Sequence, residues 1–288
     1  VGNLTLKVDS QAPATAAAVT GLAGTNGWYV SPATVTLTAA DSTSGVAGTE
    51  YSLDGGATWS AYGSPISLAE DGVHTLLYRS SDAAGNDEAV RTLVVKVDAT
   101  APTLAWGGTG ANPVGWNNAD VTVGWTAADS TSGVAGVSVG VVTFTAEGAN
   151  QTREVTVTDE AGNTRTFVSP AVNLDRTAPV TTAEADRAAN TAGWYNADVT
   201  VRLSATDDLS GPAATYYRVD GGGWTAYSHA AGIAINESGI KLVEYYSVDV
   251  AGNEETAGSL TVRLDEVAPT TSASLDRAAA ATGWFNIA

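Results

Sequence analysis

The sequence has no cysteine, no methionine, two histidines and three phenylalanines in 288 residues. Without cysteine there can be no disulfide and no thiolate metal site, although the compartment stays open. His74 and His229 stand at unrelated places, so no His-rich metal motif and no recurring Ser/His/Asp set forms. Cations are scarce as well. Against 31 Asp and Glu there are 13 Lys and Arg, for a formal net charge of −18. Nucleic acid is a poor partner for such a surface, because binding needs clustered Lys and Arg to displace counterions. No apolar run reaches the ~20 residues of a membrane-spanning helix, so membrane insertion is not expected in this stretch. No phosphate-cradling glycine loop is present either, and the expectation is of a chain that is not an enzyme.

What is present is enough apolar material for real cores: 44% of residues are hydrophobic. Wholesale disorder is thereby excluded. The length suits about two or three domains of ~100 residues.

The organisation is repetitive. Gly-Trp recurs at Gly27-Trp28, Gly115-Trp116, Gly193-Trp194 and Gly283-Trp284. Asp-x-Ala-Gly-Asn recurs from Asp82, Asp159 and Asp249. Asp-x-x-Ala-Pro marks four joints, at Asp9, Asp98, Asp175 and Asp265, giving periods of 89, 77 and 90 residues. The chain therefore divides into the last strand of a preceding repeat (1–8), repeat 1 (9–98), a shortened repeat 2 (99–175), repeat 3 (176–265) and the start of a fourth (266–288). It begins and stops inside a repeat, so it is expected to be a window on a longer protein, with targeting and anchoring segments outside it.

Each Gly-Trp is followed by alternating residues, as in Val35, Leu37 and Ala39 separated by Thr36 and Thr38. Period two places the apolar set on one face of a strand. Asp-Gly-Gly at Asp54 and Asp220 predicts a hairpin turn. Repeat 2 has Val137–Phe144 at that place, so one hairpin is expected to be lost or shortened. Short strands with frequent turns in ~80–90 residues predict an all-β fold of tandem β-sandwiches.

The combination of Asp-x-x-Ala-Pro, Gly-Trp, Asp-Gly-Gly-x-Trp and Asp-x-Ala-Gly-Asn resembles bacterial immunoglobulin-like tandem repeats over nearly the whole chain. Such repeats occur in surface adhesins, in accessory regions of secreted enzymes and in virion proteins. The resemblance implies an immunoglobulin-like sandwich; it says little of function. Proline four residues after the joint Asp makes a short, stiff link, so abutting domains in an extended rod are expected. Giant adhesins with a similar joint are rigidified by calcium. Hard carboxylate oxygens are what Ca²⁺ takes, six to eight of them. The candidate ligands are Asp98 with Asp82 and Asn86, or with Asp129 and Asn163, and the other joints at Asp175 and Asp265. Asp41, Asp129 and Asp207, each before a Ser-Gly turn, are further candidates. The competing role for all of them is to cap backbone amides in turns.

Trp28, Trp116, Trp194 and Trp284 are expected to pack structurally. Trp59 and Trp224, beyond exposed hairpin tips, are candidates for stacking on sugars. Lys7 and Lys96 have the wrong strand parity for a buried reactive lysine. The expected role is a non-enzymatic stalk or fibre segment of an extracellular or cell-surface protein, adhesive through neighbouring repeats, glycans or protein receptors, with self-assembly into a fibre, including strand donation by 1–8 or 266–288, as one route. A virion surface or tail-fibre protein and accessory carbohydrate-binding modules of a secreted glycosidase are the alternatives.

Overall fold

The computed structural model describes residues 5–274, Asp276 and Gly283. Trp284 and most of the expected start of a fourth repeat lie outside the described residues. Every regular element among those described is a strand, and the fold is a series of immunoglobulin-like β-sandwiches.

In repeat 1, Ala33–Ala40 pairs antiparallel with Ala14–Thr20 on one side and Ile66–Leu68 on the other. The facing sheet runs in the order Trp28–Tyr29, Arg91–Val97, Gly72–Asp82, Val46–Ser52 and Ser60–Ala61. The alternation read from the sequence decides which side chains meet. Ala33, Val35 and Leu37 face inward, and Leu76, Tyr78, Val95 and Val97 meet them from the second sheet. Each such aliphatic side chain contributes roughly 1.5–3 kcal/mol on burial. Gly55 and Gly56 turn the hairpin with φ of 74° and 95°, a region that only glycine enters without strain.

Repeat 3 has the same plan. Val199–Thr206 lies between Val180–Ala185 and Ile233–Ile235, and faces Thr225–Ala226, Pro212–Val219, Gly239–Asp249 and Gly258–Leu264. Its core is Val199, Val201, Leu203, Ile233, Ile235, Val243, Val262 and Leu264.

Repeat 2 has lost the hairpin. Val139–Phe144 pairs directly with Val121–Ala128, Val121 opposite Phe144 and Val123 opposite Val142. That register corresponds to Ala33 opposite Leu68 and Val35 opposite Ile66. The Val-rich segment thus serves as the outer strand, and the chain skips the Asp-Gly-Gly excursion. Phe144, with no exposed surface, fills the core with Val121, Val123 and Val172.

A polar clamp holds the first strand in repeats 1 and 3. The carboxylate of Glu88 accepts the Thr15 backbone N–H at 2.9 Å and the Thr15 hydroxyl at 2.5 Å, and Thr15 also bonds Ser80. Glu255 takes the Thr181 N–H, the Thr181 hydroxyl and the Ser247 N–H in the same way. Repeat 2 has Leu104 and Arg165 at the corresponding positions, and no such clamp.

Contacts group the chain into two compact units that cut across repeat 2. One runs to Gly110 and takes in Asp120–Thr145 and Asn150–Val172; the other holds Ala111–Ala119, Ala146–Ala149 and the chain from Asn173. Of the strand expected at 1–8, only residues 5–8 lie among the described residues. Residues 5–10 are in no strand, with Leu6 and Val8 exposed. A lone strand leaves its backbone donors and acceptors unpaired, and no strand among the described residues pairs with this segment.

Candidate cation sites at the repeat joints

Three turns with separate sequence origins converge at the head of each repeat. The joint supplies one Asp, the Ser-Gly turn a second and the Asp-x-Ala-Gly-Asn turn a third. The triads are Asp9, Asp41 and Asp82; Asp98, Asp129 and Asp159; and Asp175, Asp207 and Asp249, each with carboxylate oxygens within 4.8 Å of one another. Asp98 and Asp175 have no exposed surface, and Asp82, Asp159 and Asp249 are buried.

Backbone amides hold each carboxylate in place. Asp129 Oδ1 accepts the N–H groups of Thr131, Ser132 and Gly133 at 3.1, 3.0 and 2.9 Å. Asp98 Oδ2 accepts Ser132 N–H at 3.1 Å, and Asp159 Oδ1 accepts Gly162 and Asn163 N–H at 2.7 and 2.8 Å. The other two triads repeat these bonds with Asp41, Asp9 and Asp82, and with Asp207, Asp175 and Asp249. The turns engage Oδ1 of Asp41, Asp129 and Asp207. In repeat 1, Gln11 N–H and then Ser44 hold Asp9 below the ordinary carboxylate range. Burial opposes ionisation of Asp82, but the side-chain amide and N–H of Asn86, with Ser44 and Ala84, outweigh it and lower its pKa.

The asparagines brace the joint through their side-chain amides. Asn163 Nδ2 donates to Asp159 Oδ2 at 2.8 Å and to the Asp98 carbonyl at 2.9 Å. Asn253 bonds Asp249 and the Asp175 carbonyl, and Asn86 bonds Asp82 and the Asp9 carbonyl, in the same manner. Ser132 and Ser210 hydroxyls accept Ala161 and Ala251 N–H.

The geometry corrects one expected grouping. Asp98 does not meet Asp82 and Asn86. Strand Arg91–Val97 runs between them, and at ~3.3 Å per residue its seven residues separate them by roughly 20 Å. Asp98 belongs to the head of repeat 2, with Asp129 and Asn163, as the second grouping had it. Asp9, Asp159 and Asp249 join the triads although they were not among the expected ligands; their motif positions marked them. Asp265 is exposed and joins no triad among the described residues. The donor set, three carboxylates with carbonyls beside them, matches the hard oxygens that Ca²⁺ takes.

The two candidate sugar platforms are each covered on one face. The Arg79 guanidinium lies 4.6 Å over the Trp59 ring and pairs with Glu50 at 2.6 Å. Arg218 lies 4.6 Å over Trp224 and pairs with Glu244 at 2.8 Å. Trp224 stays 40% exposed and meets Tyr246 edge-on, which in turn stacks on Tyr216. Trp28 is buried, with the Lys96 ammonium 5.6 Å from its ring centre.

No protein-family model matches the chain, and no curated protein matches it. Solved structures do. The fibronectin(III)-like modules of Clostridium thermocellum CbhA align at 12% identity over 90% of this chain and 100% of that one, with a TM-score of 0.21. Three N-terminal domains of the bacteriophage RB49 Highly Immunogenic Outer Capsid protein align at 12% over 88% and 100%, with a TM-score of 0.31. Protocadherin Gamma B2 extracellular cadherin domains 1–5 align at 10% over 82% and 56%, with a TM-score of 0.32. At such values the likeness concerns fold alone.

Proposed function

We propose that the chain is a non-enzymatic structural segment of a large extracellular or cell-surface protein, a stalk of stiff joints that carries an adhesive or binding region. The observation that carries this reading is the recurrence of one carboxylate triad at three of the four joints, 9/41/82, 98/129/159 and 175/207/249. A triad built from three different turns ties the link to the body of the repeat. With Ca²⁺ bound, the ion would neutralise three clustered negative charges and lock the joint Asp to both turns; Asp98, Asp129 and Asp159 would hold it in repeat 2. Among the described residues no helix is long and apolar enough to cross a membrane.

Calorimetry and small-angle scattering in calcium and in chelator test the reading together. The expected result is a higher melting temperature and a longer maximum dimension in calcium, both reduced by Asp129→Asn. Identical melting in both conditions overturns the calcium site and leaves the aspartates as turn caps. A compact particle in both overturns the stalk.

The exposed ring of Trp224, with half-buried Tyr216 and Tyr246 beside it, favours a second reading, glycan contact by repeat 3. Retention on immobilised glycans that Trp224→Ala leaves unchanged would remove it.

A further inference from the structure

Repeat 2 lacks a strand as well as a hairpin. In repeat 1, Gly72–Asp82 pairs with Arg91–Val97 on one side and with Val46–Ser52 on the other. In repeat 3, Gly239–Asp249 lies likewise between Gly258–Leu264 and Pro212–Val219. The corresponding strand of repeat 2, Glu154–Thr158, pairs with Thr164–Val168 alone among the described strands. Its second neighbour is begun and abandoned. Val134 bridges Asp159, as Val46 pairs with Asp82, and the Ala135 N–H donates to the Thr158 carbonyl at 2.9 Å. Gly48 carries the strand onward in repeat 1; Gly136 at the same place turns the chain away with a φ of 77°.

The missing strand leaves core side chains part-covered. Trp125 stands where Leu37 and Leu203 are buried, and Val142 where Ile66 and Ile233 are buried, yet both are only half-buried. In repeats 1 and 3 the second neighbour brings Tyr51 and Tyr217 against the core.

The bare edge has backbone groups to offer. The Arg153 carbonyl accepts the Ser169 N–H at 2.8 Å on the paired side, and Thr158 meets Ala135 on the other. Backbone groups alternate in direction along an antiparallel strand. Val155 and Val157 therefore bond toward Thr164–Val168, and the N–H and C=O of Glu154 and Thr156 point to the open side. Both of these residues are exposed.

Repeat 3 shows what fits such an edge. Thr215, Tyr216, Tyr217 and Arg218 lie opposite Ser247, Tyr246, Tyr245 and Glu244. Arg218 donates to Glu244 through Nε and Nη2, each at 2.8 Å. Counted from the motif Asp, Glu154 stands where Glu244 stands and Val155 where Tyr245 stands. A cation directly across from Glu154 would be stabilising in the same way.

We propose that Glu154–Thr158 is an acceptor edge for an extended segment of a separate polypeptide. The segment lies antiparallel, with an aromatic residue across from Val155 to cover the half-buried core and an Arg or Lys across from Glu154. The strand of this chain with that pattern, Pro212–Val219, is already paired on both sides. A second copy laid edge to edge about Thr156 would set Glu154 against Thr158 and bring no cation, so the occupant is another protein.

The probe is a capped synthetic peptide with the sequence of residues 214–220, Ala-Thr-Tyr-Tyr-Arg-Val-Asp, added to the whole chain and followed by amide exchange in NMR spectra. The expected result is saturable binding that slows exchange of Glu154 and Thr156 several-fold and leaves Val155 and Val157, already bonded, unchanged. Arg218→Glu in the peptide is expected to weaken binding several-fold, and Glu154→Arg in the chain to reverse the order of the two peptides. Thr156→Pro removes an outward N–H at a sheet edge, where proline is tolerated, and is expected to abolish binding. Failure of the peptide to slow Glu154 and Thr156 overturns the proposal, as does equal binding of both peptides to both forms of the chain. Slow exchange of Glu154 and Thr156 in the chain alone that fades on dilution also overturns it, because a second copy would then fill the edge.

Discussion

Repeats 1 and 3 share a plan that repeat 2 has pared down, and what repeat 2 keeps is instructive. It has dropped the Asp-Gly-Gly hairpin, the stacked Arg and Trp beside it, and the Thr-Glu clamp on the first strand. It keeps the triad Asp98, Asp129 and Asp159, the Asn163 brace to the joint carbonyl and the Gly-Trp loop. The sheets tolerate loss of a whole edge; each of the three joints keeps the triad and the asparagine brace.

The comparison can be pressed hardest at Phe144. Without a hairpin, repeat 2 relies on this one fully buried ring. Phe144→Ala is expected to cost about 3–5 kcal/mol and to strip hydrogen-exchange protection from Val121–Ala128 while Ala33–Ala40 stays protected. Loss of protection in both strands together would mean that the repeats do not unfold separately.

Next in size is the clamp. Glu88→Ala leaves the buried Thr15 N–H without an acceptor and its hydroxyl with Ser80 alone, at a cost of about 1–3 kcal/mol, read as faster exchange of Ala14–Thr20. Arg165→Ala, at the matching place in repeat 2, is expected to change exchange by about 0.5 kcal/mol or less. Equal effects would show that the clamp adds nothing to strand pairing.

Acid should act more gently on repeat 1. Asp9 and Asp82 have folded pKa values below those of the unfolded chain. Their contribution is therefore full above the ordinary carboxylate range, about pH 4–5, and is lost as pH falls through the lowered values. Protection in repeat 1 should decline over that acid window, and Asp82→Asn should give a lower baseline with a flatter profile. A profile unchanged by Asp82→Asn would place the acid sensitivity elsewhere. The smallest effect belongs to the exposed stack: Arg79→Ala is expected to cost about 0.5–1 kcal/mol, seen as altered Trp59 fluorescence and a slight shift in unfolding.

Much of this was legible in the residues. Alternating Val, Leu and Thr after each Gly-Trp put the right side chains inward, because period two leaves no other face for them. The hairpin missing from repeat 2 was read from a missing Asp-Gly-Gly. The grouping of Asp98 with Asp82 failed because neighbours in a motif list can lie at opposite ends of a strand, and only strand direction tells which. The Glu88 clamp was not legible, since one glutamate in so acidic a chain has no distinguishing mark. Its signal emerges only from the pairing of Asn-x-Glu with Ala-Pro-x-Thr in repeats 1 and 3, and from the absence of both in repeat 2.

The asparagine brace has a mechanical consequence. Asn86, Asn163 and Asn253 each grip the carbonyl of a joint residue 77, 65 and 78 positions earlier in the chain. A pull applied along the polypeptide reaches the joint before it reaches any sheet. There it is shared with a turn at the far end of the repeat's sequence, so tension is diverted around the first strand before the ladder of that strand is sheared.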